Sequence, residues 1–189
     1  LSIQDMSSAG NQPMESSNGR YLIVFNGEIY NHWEIRKRLE KKGYLFNSTS
    51  DTETLLNGWC EWGKESINYL NGIFSFSIFD KKQKKIFIVR DQFGVKPLYV
   101  YHKNDKIAFS SEIKALLNIE DFDSSINLKS VVNYLTFLWS PGHQTMYKNV
   151  QKLLPGELLE IETKTLRVEK IIYKNKAIFN GEYLNLSEK

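Results

Sequence analysis

Residues 73–90 constrain the fold most, because a run that alternates with a period of two is followed by a second apolar run across a short turn. Residues 73–80 alternate around Ser75 and Ser77, and a second apolar run at residues 85–90 follows a turn rich in lysine. A period of two is typical of strands, and two such runs joined by a short polar turn predict an antiparallel hairpin. We therefore expect an antiparallel sheet at the centre of the fold.

The remaining predicted strands and helices fall into separate blocks. Further strands are predicted over residues 20–25, 44–47, 98–102, 107–110, 157–162 and 166–173. Helices are predicted after capping or opening signals at Asn31, Ser50, Ser111 and Asn127, two of which, at Asn31 and Ser50, carry a glutamate three residues later as in a capping box. Because strands and helices do not alternate singly, the pattern favours an α+β fold with antiparallel sheets over a parallel one.

Asn26 and Gly27 follow the apolar run of residues 21–25. An Asn-Gly pair between two apolar runs is typical of a tight hairpin turn. The same pair also places a side-chain amide beside a backbone NH, and the carboxylate of Glu28 comes next, as in a small polar pocket at a strand end. Spacing alone leaves both interpretations open, and it gives Asp51 the ordinary role of a first-turn carboxylate facing a helix dipole.

Composition excludes several classes of function. With 41% apolar residues in 189, the chain is predicted to form one ordered domain. The net charge of +3 is interspersed, which predicts no nucleic-acid partner. No apolar run approaches the roughly 20 residues that cross a bilayer, so we expect no membrane partner and a cytoplasmic location.

Cys60 is the only cysteine, and three histidines share no metal-ligand spacing. These counts exclude an internal disulfide and predict no metal site in the chain. Cys60 lies within a predicted helix and is not close to a histidine in sequence, so we expect a buried apolar role for its thiol instead of a nucleophilic one.

Six short motifs together carry a resemblance to a known family. They are Leu1-Ser2-Ile3, Asn11-Gln12-Pro13, Phe25-Asn26-Gly27-Glu28-Ile29-Tyr30-Asn31, Ser50-Asp51-Thr52-Glu53, Arg90-Asp91 through Gly94 to Lys96-Pro97-Leu98-Tyr99, and Phe109-Ser110-Ser111-Glu112-Ile113-Lys114-Ala115-Leu116. Their order and spacing resemble the class II glutamine amidotransferase domain, and Phe25 before Asn26 resembles the glutamine-hydrolysing asparagine synthetase branch. The resemblance extends from Leu1 to about Gly156.

This resemblance implies a four-layer αββα sandwich of the N-terminal nucleophile hydrolase type, with two antiparallel sheets between helical layers. It also implies that an N-terminal cysteine thiolate attacks the side-chain amide of glutamine, forms a thioester and releases ammonia. Asn26 and Gly27 would then form the oxyanion hole. Asp51, with Glu28, would bind the α-ammonium of glutamine, and the backbone at Leu1 and Ile3 would line the pocket.

The sequence departs from the family pattern at both ends. It begins at Leu1 without the nucleophilic cysteine and the arginine that the family places before this motif. We therefore expect residues 1–174 to be an N-terminally truncated glutaminase domain that is inactive alone. Residues 175–189 would begin a linker to an absent synthetase domain, which would hold ATP and magnesium, whereas no cofactor is expected in this chain.

Several alternatives remain open for the function. The expected partners are glutamine and the synthetase domain of the same parent chain, and a homodimer is also left open. The acceptor of ammonia is aspartate by default, but a sugar or another carboxylate fits the residues equally well. A non-catalytic amidotransferase-like module for binding or regulation is the alternative from a different class.

Overall fold

The computed structural model describes residues 10–173, which form two antiparallel sheets with helices on their outer faces. The large sheet consists, in spatial order, of β1 (Met14–Glu15), β2 (Tyr21–Ile29), β3 (Gly72–Asp80), β4 (Lys85–Arg90), β8 (Glu157–Glu162) and β9 (Val168–Ile172). The small sheet consists of β6 (Lys106–Ser110), β5 (Tyr99–Lys103) and β7 (Val150–Lys152). The helices are α1 (His32–Glu40), α2 (Asp51–Trp62), α3 (Ile113–Leu116) and α4 (Leu128–Phe137), and a 3₁₀ helix spans Gly63–Tyr69.

Three apolar clusters separate four layers. The first packs α1 and α2 against the large sheet and includes Leu55, Trp59 and Phe76. The second lies between the two sheets, where Ile88 and Leu159 face residues of β5 and β6. The third joins the outer face of the small sheet to α3 and includes Tyr101, Val150 and Leu116. This stacking confirms the predicted αββα sandwich.

The strand alternation explains how one sheet serves two clusters. In β4, Phe87 and Val89 belong to the helix-facing cluster, whereas Ile88 belongs to the cluster between the sheets. Successive side chains of a strand point to opposite faces, so a continuous apolar run is required where both faces are covered. The hairpin predicted from the period of two is confirmed, and β3 pairs with β4 from Ser75↔Arg90 to Asp80↔Lys85.

The turn interpretation of Asn26-Gly27 is wrong. Both residues lie inside β2, which continues to Ile29 and pairs with β3 through Ile29↔Gly72. The strand continues because β3 offers partners beyond the Asn-Gly pair, and this tertiary pairing overrides the local turn preference. The pair therefore lies just before the end of a strand, and no chain reversal occurs there.

Two of the observed helix caps differ in detail from the predicted ones. Asn31 precedes α1, but its side chain donates to Tyr69 O and accepts from the Asn71 NH, both at 2.9 Å, and does not cap the helix. Ser50 does cap α2 and accepts from the Thr52 NH at 3.1 Å. Glu53 does not complete the capping box, because its carboxylate accepts from the preceding loop, including the Ser48 NH and hydroxyl.

Some elements were not predicted from sequence, and some predictions fall outside the described part of the chain. β1, β7 and the 3₁₀ helix were missed, and residues 44–47 form a loop where a strand was expected. β1 and β7 have only two and three residues, too few for a recognisable period. The apolar start at residues 1–5 and the linker at residues 175–189 lie outside the described residues.

Candidate functional site

Asn26, Gly27 and Glu28 lie together near the end of β2. Asn26 is opposite Ser75 of β3, and Ser75 is opposite Arg90, the last residue of β4. The Asn26 side chain is half-buried, and its Nδ2 donates to Ser111 Oγ at 3.1 Å. Because a primary amide carries two N–H donors, this bond fixes the orientation of the amide and leaves its second N–H available.

Gly27 is required by the close approach of β2 and β3. A Cβ at this position would lie 2.2 Å from Ile73 O and 2.6 Å from Phe74 Cα. Gly72 is equally tight on the facing strand, where a Cβ would lie 2.2 Å from Glu28 O. No side chain fits at these distances, so the two glycines allow the strands to meet at the site.

The register shows where the Gly27 NH points. Gly27 is opposite Phe74, but Phe74 O accepts from the Asp91 NH at 2.7 Å and is thus directed away from β2. Gly27↔Phe74 is therefore a non-hydrogen-bonded pair of the antiparallel ladder, the type with the shorter Cα separation. The Gly27 NH points to the other side of β2, which we call the open edge because, within residues 10–173, β1 pairs there with Leu22 and Ile23 alone.

The neighbouring NH groups on the open edge agree with this direction. The Phe25 NH donates to Gln12 Oε1 at 2.5 Å, and the Ile29 NH donates to Asp51 Oδ2 at 3.0 Å. Since NH groups two residues apart in a strand point the same way, the Gly27 NH lies between these two. The open edge thus presents a row of three donors whose outer two are held by side chains.

Asp51 is the first residue of α2 and lies at the end of β2. The residue is 4% exposed, and burial raises the pKa of its carboxyl group. The hydrogen bond from the Ile29 NH and the nearby His32 oppose this rise in pKa, whereas the charge of Glu28 adds to it. Asp51 and Glu28 are therefore close enough to influence each other, as a shared cation site requires.

The Asp51 carboxylate has no cationic partner within the part of the chain that the structure describes. Among residues 10–173, no lysine or arginine forms an ion pair with it. His32 is the nearby basic side chain, and burial lowers its pKa. Buried charges in proteins are normally paired. A buried carboxylate that faces a histidine of lowered pKa is suited to receive a cationic group from a ligand.

His32 and Gln12 are parts of the site that the sequence interpretation missed. His32 is 3% exposed, and within the described residues its Nδ1 has no hydrogen-bond partner. Gln12 links β2 to α2, because its Nε2 also donates to Thr52 Oγ1 at 3.4 Å. Gln12 belongs to a motif that carried the family resemblance, so that motif was the available signal. The sequence carries no comparable local signal for His32.

The motif that begins at Arg90 has a structural role. The Arg90 guanidinium donates to Lys96 O at 2.8 Å, to Gly94 O at 2.7 Å and also to Leu153 O. Asp91 is fully buried and accepts from three NH groups of the same loop, those of Phe93, Val95 and Lys96. These bonds fix the loop after β4 and hence the start of β3 beside Asn26.

The structure brings some of the predicted site residues together. Asn26, Gly27, Glu28 and Asp51 line the last part of β2, over roughly 10 Å of strand. The Asn26 amide lies at the side of the small sheet, and Asp51 lies at the side of α2. Leu1 and Ile3 are outside the described residues. The candidate site thus lies at the end of β2, where the Asn26 amide and the Gly27 NH are donors and Glu28 and Asp51 supply carboxylates.

Cys60 does not belong to this candidate site. It lies within α2, half-buried against the helix-facing cluster. Burial raises the pKa of its thiol, which disfavours the reactive thiolate. This environment agrees with the apolar role predicted from sequence.

Residues 10–173 contain neither a metal-binding cluster nor a membrane-spanning helix. No group of three or more His, Cys, Asp or Glu side chains is arranged to hold a metal ion. None of the helices in this part of the chain has the length and apolar content needed to cross a bilayer.

The fold defines the class as an αββα sandwich of two antiparallel sheets between helical layers. A family model described as a glutamine amidotransferase domain matches residues 1–173. Because this match covers most of the chain, the chain belongs to the glutamine amidotransferase domain family.

Curated relatives carry the names of larger enzymes. Asparagine synthetase [glutamine-hydrolyzing] 1 of Bacillus subtilis is 40% identical over 161 residues, which is 85% of this chain and 25% of the relative. A putative asparagine synthetase [glutamine-hydrolyzing] 2 of Methanocaldococcus jannaschii is 33% identical over 189 aligned residues, with 92% of this chain and 36% of the relative covered. The chain thus spans only about a quarter to a third of these relatives.

Solved structures support the fold. A glutamine phosphoribosylpyrophosphate amidotransferase from Bacillus subtilis superposes with a TM-score of 0.60 at 21% identity, covering 86% of this chain and 32% of that one. A glutamine aminotransferase class-II domain protein from Silicibacter pomeroyi superposes with a TM-score of 0.54 at 15% identity, covering 89% and 73%. At these identities the likeness concerns the fold alone.

Proposed function

We propose that this chain is the glutaminase domain of an asparagine synthetase-like enzyme, which hydrolyses glutamine and supplies ammonia for ATP-dependent amidation of aspartate. The relatives' names support the reaction. One observation in the structure carries the proposal. The end of β2 carries the Asn26 amide and the Gly27 NH and lies beside a buried carboxylate, Asp51, that forms no ion pair with a lysine or arginine of residues 10–173.

The donors and the carboxylates at the end of β2 have separate roles in this reaction. A thiolate bonds to the amide carbon of glutamine, and the carbonyl oxygen takes a negative charge that Asn26 and Gly27 stabilise. The C–N bond then breaks, and the amide nitrogen leaves as ammonia after it gains a proton. Water hydrolyses the resulting thioester to glutamate and restores the thiol. Asp51, with Glu28, holds the α-ammonium throughout.

The attacking thiol in this proposal is not Cys60. Cys60 is the only cysteine in the sequence, and its burial in α2 and raised pKa disqualify it. The second candidate is a non-catalytic amidotransferase-like module, which would need no reactive thiol. Glutaminase activity of the full-length natural protein distinguishes the two. ATP and magnesium remain predictions for the synthetase domain, as does aspartate as acceptor.

Asn26→Ala in the full-length protein tests the oxyanion role. Losing one of two fixed donors lowers such a rate by about 10²- to 10³-fold, so glutaminase turnover is expected to fall at least roughly tenfold. Synthesis from added ammonia is expected to persist, because it bypasses this site. Asn118→Ala is the matched control, since Asn118 is exposed and its side chain bonds within its own turn. Equal loss of both activities in Asn26→Ala would show a folding role.

Asp51→Asn tests the ammonium site. The substitution keeps an acceptor for the Ile29 NH but removes the negative charge. We expect the KM for glutamine to rise by about tenfold or more, while a glutamine analogue without the α-amino group is bound as weakly as before. If the variant still prefers glutamine over the analogue by the original factor, Asp51 does not bind the ammonium.

A further inference from the structure

α4 presents an unusual amount of apolar surface to solvent. We define the α4 patch as the large apolar side chains, of this helix and of the two residues that follow it, that are more than half exposed. These are Leu128, Val132, Leu135, Phe137, Leu138 and Trp139, which are 58% to 81% exposed. Monomeric domains rarely expose a contiguous patch of this kind unless it binds something.

The orientation of α4 is the reverse of that of an ordinary surface helix. Ser130 is the residue of this helix that is fully buried, and within the described residues its Oγ has no hydrogen-bond partner. Leu128, Val132 and Leu135 recur at helical spacing on the outside. A surface helix normally turns such a stripe towards the core. The stripe is therefore available to a surface outside this domain.

The start of α4 is anchored, so the exposed stripe has a defined position. The Asn127 NH donates to Met146 O at 2.8 Å, and the Lys148 NH donates to Ser125 O at 3.0 Å. The Asn127 side chain also accepts from the Ser130 NH at 3.4 Å and caps the helix. These bonds connect α4 to the segment that leads into β7.

The end of the patch lies near the last strand of the domain. Lys152 Nζ lies 5.5 Å from the centre of the Trp139 ring. Soon after Trp139 in the chain, His143 Nε2 lies 3.3 Å from Lys170 Nζ of β9, and both groups face Glu157, at 3.4 and 3.6 Å. The family match ends at residue 173, directly after β9. The segment that follows the patch thus contacts β9, the last strand within the family match.

We propose that the α4 patch is the surface on which the synthetase domain of the same polypeptide docks. The inference rests on the proposed function, because that function supplies the second domain. Much of the length of the relatives lies outside the region that this chain matches, since the match covers 25% of one of them. A domain tethered next to β9 has an effective concentration in the millimolar range, so a moderate apolar surface suffices for stable docking.

Side-chain labelling tests the docking without reference to activity. Leu135→Cys and, as matched control, Leu45→Cys are made in the full-length protein, since Leu135 is 74% and Leu45 86% exposed in this domain. Each protein is treated with a thiol reagent, and modification is followed at the peptide level by mass spectrometry. We expect the Leu135→Cys thiol to react at least about tenfold more slowly than the control, because docking must open before the reagent enters.

Two labelling results would overturn the proposal. One is equal reaction of the two thiols in the full-length protein. The other is protection of the Leu135→Cys thiol that disappears on dilution, which would show that a second copy covers the patch. Protection that persists on dilution supports docking within one polypeptide. Because the readout requires no catalysis, these results are separate from a failure of the proposed glutaminase function.

Leu135→Glu, with Leu45→Glu as control, extends the test to coupling. A carboxylate in the docked surface weakens the contact, so glutamine-dependent product formed per glutamate released is expected to fall about threefold or more. The rate of glutamine hydrolysis is expected to stay within about twofold of the original, since Leu135 is not part of the candidate site at the end of β2. Unchanged coupling in Leu135→Glu would contradict the docking surface.

Discussion

α2 and α4 begin with the same kind of signal but end in opposite environments. Ser50 caps α2 and Asn127 caps α4, and both helices carry an apolar stripe. An unbroken run of α2, from Asp51 to Trp59, is buried, whereas Ser130 is the buried residue of α4. Since most helix stability in proteins comes from packing, α2 is held by its own domain, and α4 offers its stripe to another surface.

The difference matters for function because α2 carries part of the site. The packing of α2 against the large sheet fixes Asp51 against the end of β2, where its carboxylate accepts from the Ile29 NH. A site residue at the start of a fully packed helix has a defined position. α4 bears no predicted site residue, and its exposed surface is compatible with a role in assembly.

The largest contrast is expected from Trp59→Ala and Leu135→Ala in the 189-residue chain. Trp59 is 2% exposed and its ring packs near those of Phe76 and Phe87, with centroids 6.0 and 5.1 Å away. Its truncation should lower the free energy of unfolding by about 3 to 5 kcal/mol. Leu135→Ala should change it by less than about 0.5 kcal/mol. Urea unfolding followed by circular dichroism measures both.

A comparable loss for both variants would break the comparison. It would mean that α4 packs on this domain as α2 does, and the docking proposal would then lose its physical basis. For Leu135→Ala we expect the same urea midpoint of unfolding as for the natural chain. The slope of its unfolding free energy with urea should also be unchanged, because the substitution alters little of the surface exposed on unfolding.

The two helices also show how far the sequence could predict the fold. Caps and stripes were sufficient to place both α2 and α4, and the period of two placed the hairpin of β3 and β4. The direction in which an apolar stripe faces was not predictable, because it depends on what the rest of the fold leaves uncovered. The same holds for Asn31, whose side chain bonds to residues 38 and 40 positions away instead of to its own helix.

The candidate site could be predicted only in part, because it too depends on contacts between distant parts of the chain. Family motifs identified Asn26, Gly27, Glu28 and Asp51, but local signals favoured a turn at Asn26-Gly27. Only the register with β3 shows that the Gly27 NH faces the open edge. Ser111 and Gln12 hold the site from 85 and 13 residues away along the chain. Such contacts arise from the tertiary fold and have no local sequence signature.

Removal of the two caps should give a smaller contrast. Ser50→Ala should lower the free energy of unfolding by about 1 kcal/mol, because it releases the Thr52 NH at the start of a packed helix. Asn127→Ala should affect global unfolding less, although its lost bond, at 3.4 Å to the Ser130 NH, should loosen α4 locally. Amide hydrogen exchange across α4 measures the local effect. A larger global loss for Asn127→Ala would reverse the assignment of the two helices.

The smallest effect is expected from Asp51→Asn and is read as a dependence on pH. Burial raises the pKa of Asp51 in the folded chain above its value in the unfolded chain, which is about 3.9. At pH values between these two, the folded state binds more protons than the unfolded state. The contribution of Asp51 to stability is thus fully present below the unfolded pKa and is lost as the pH rises through the folded one. The amide that replaces the carboxyl group in the variant does not titrate. The stability of the variant relative to the natural chain should therefore rise with pH across this window and then level off.

Unfolding in urea at a series of pH values from about 3 to 7 checks this sign, which follows from linkage. Substitution of Asp51 also removes a carboxylate near a helix N-terminus, a loss of about 0.3 to 1 kcal/mol at most sites, so the pH-dependent part is the decisive quantity. A difference that falls as the pH rises would mean that the carboxylate is stabilised by an internal partner. The buried negative charge would then need no substrate ammonium, and the role of Asp51 would reduce to holding the Ile29 NH at the start of α2.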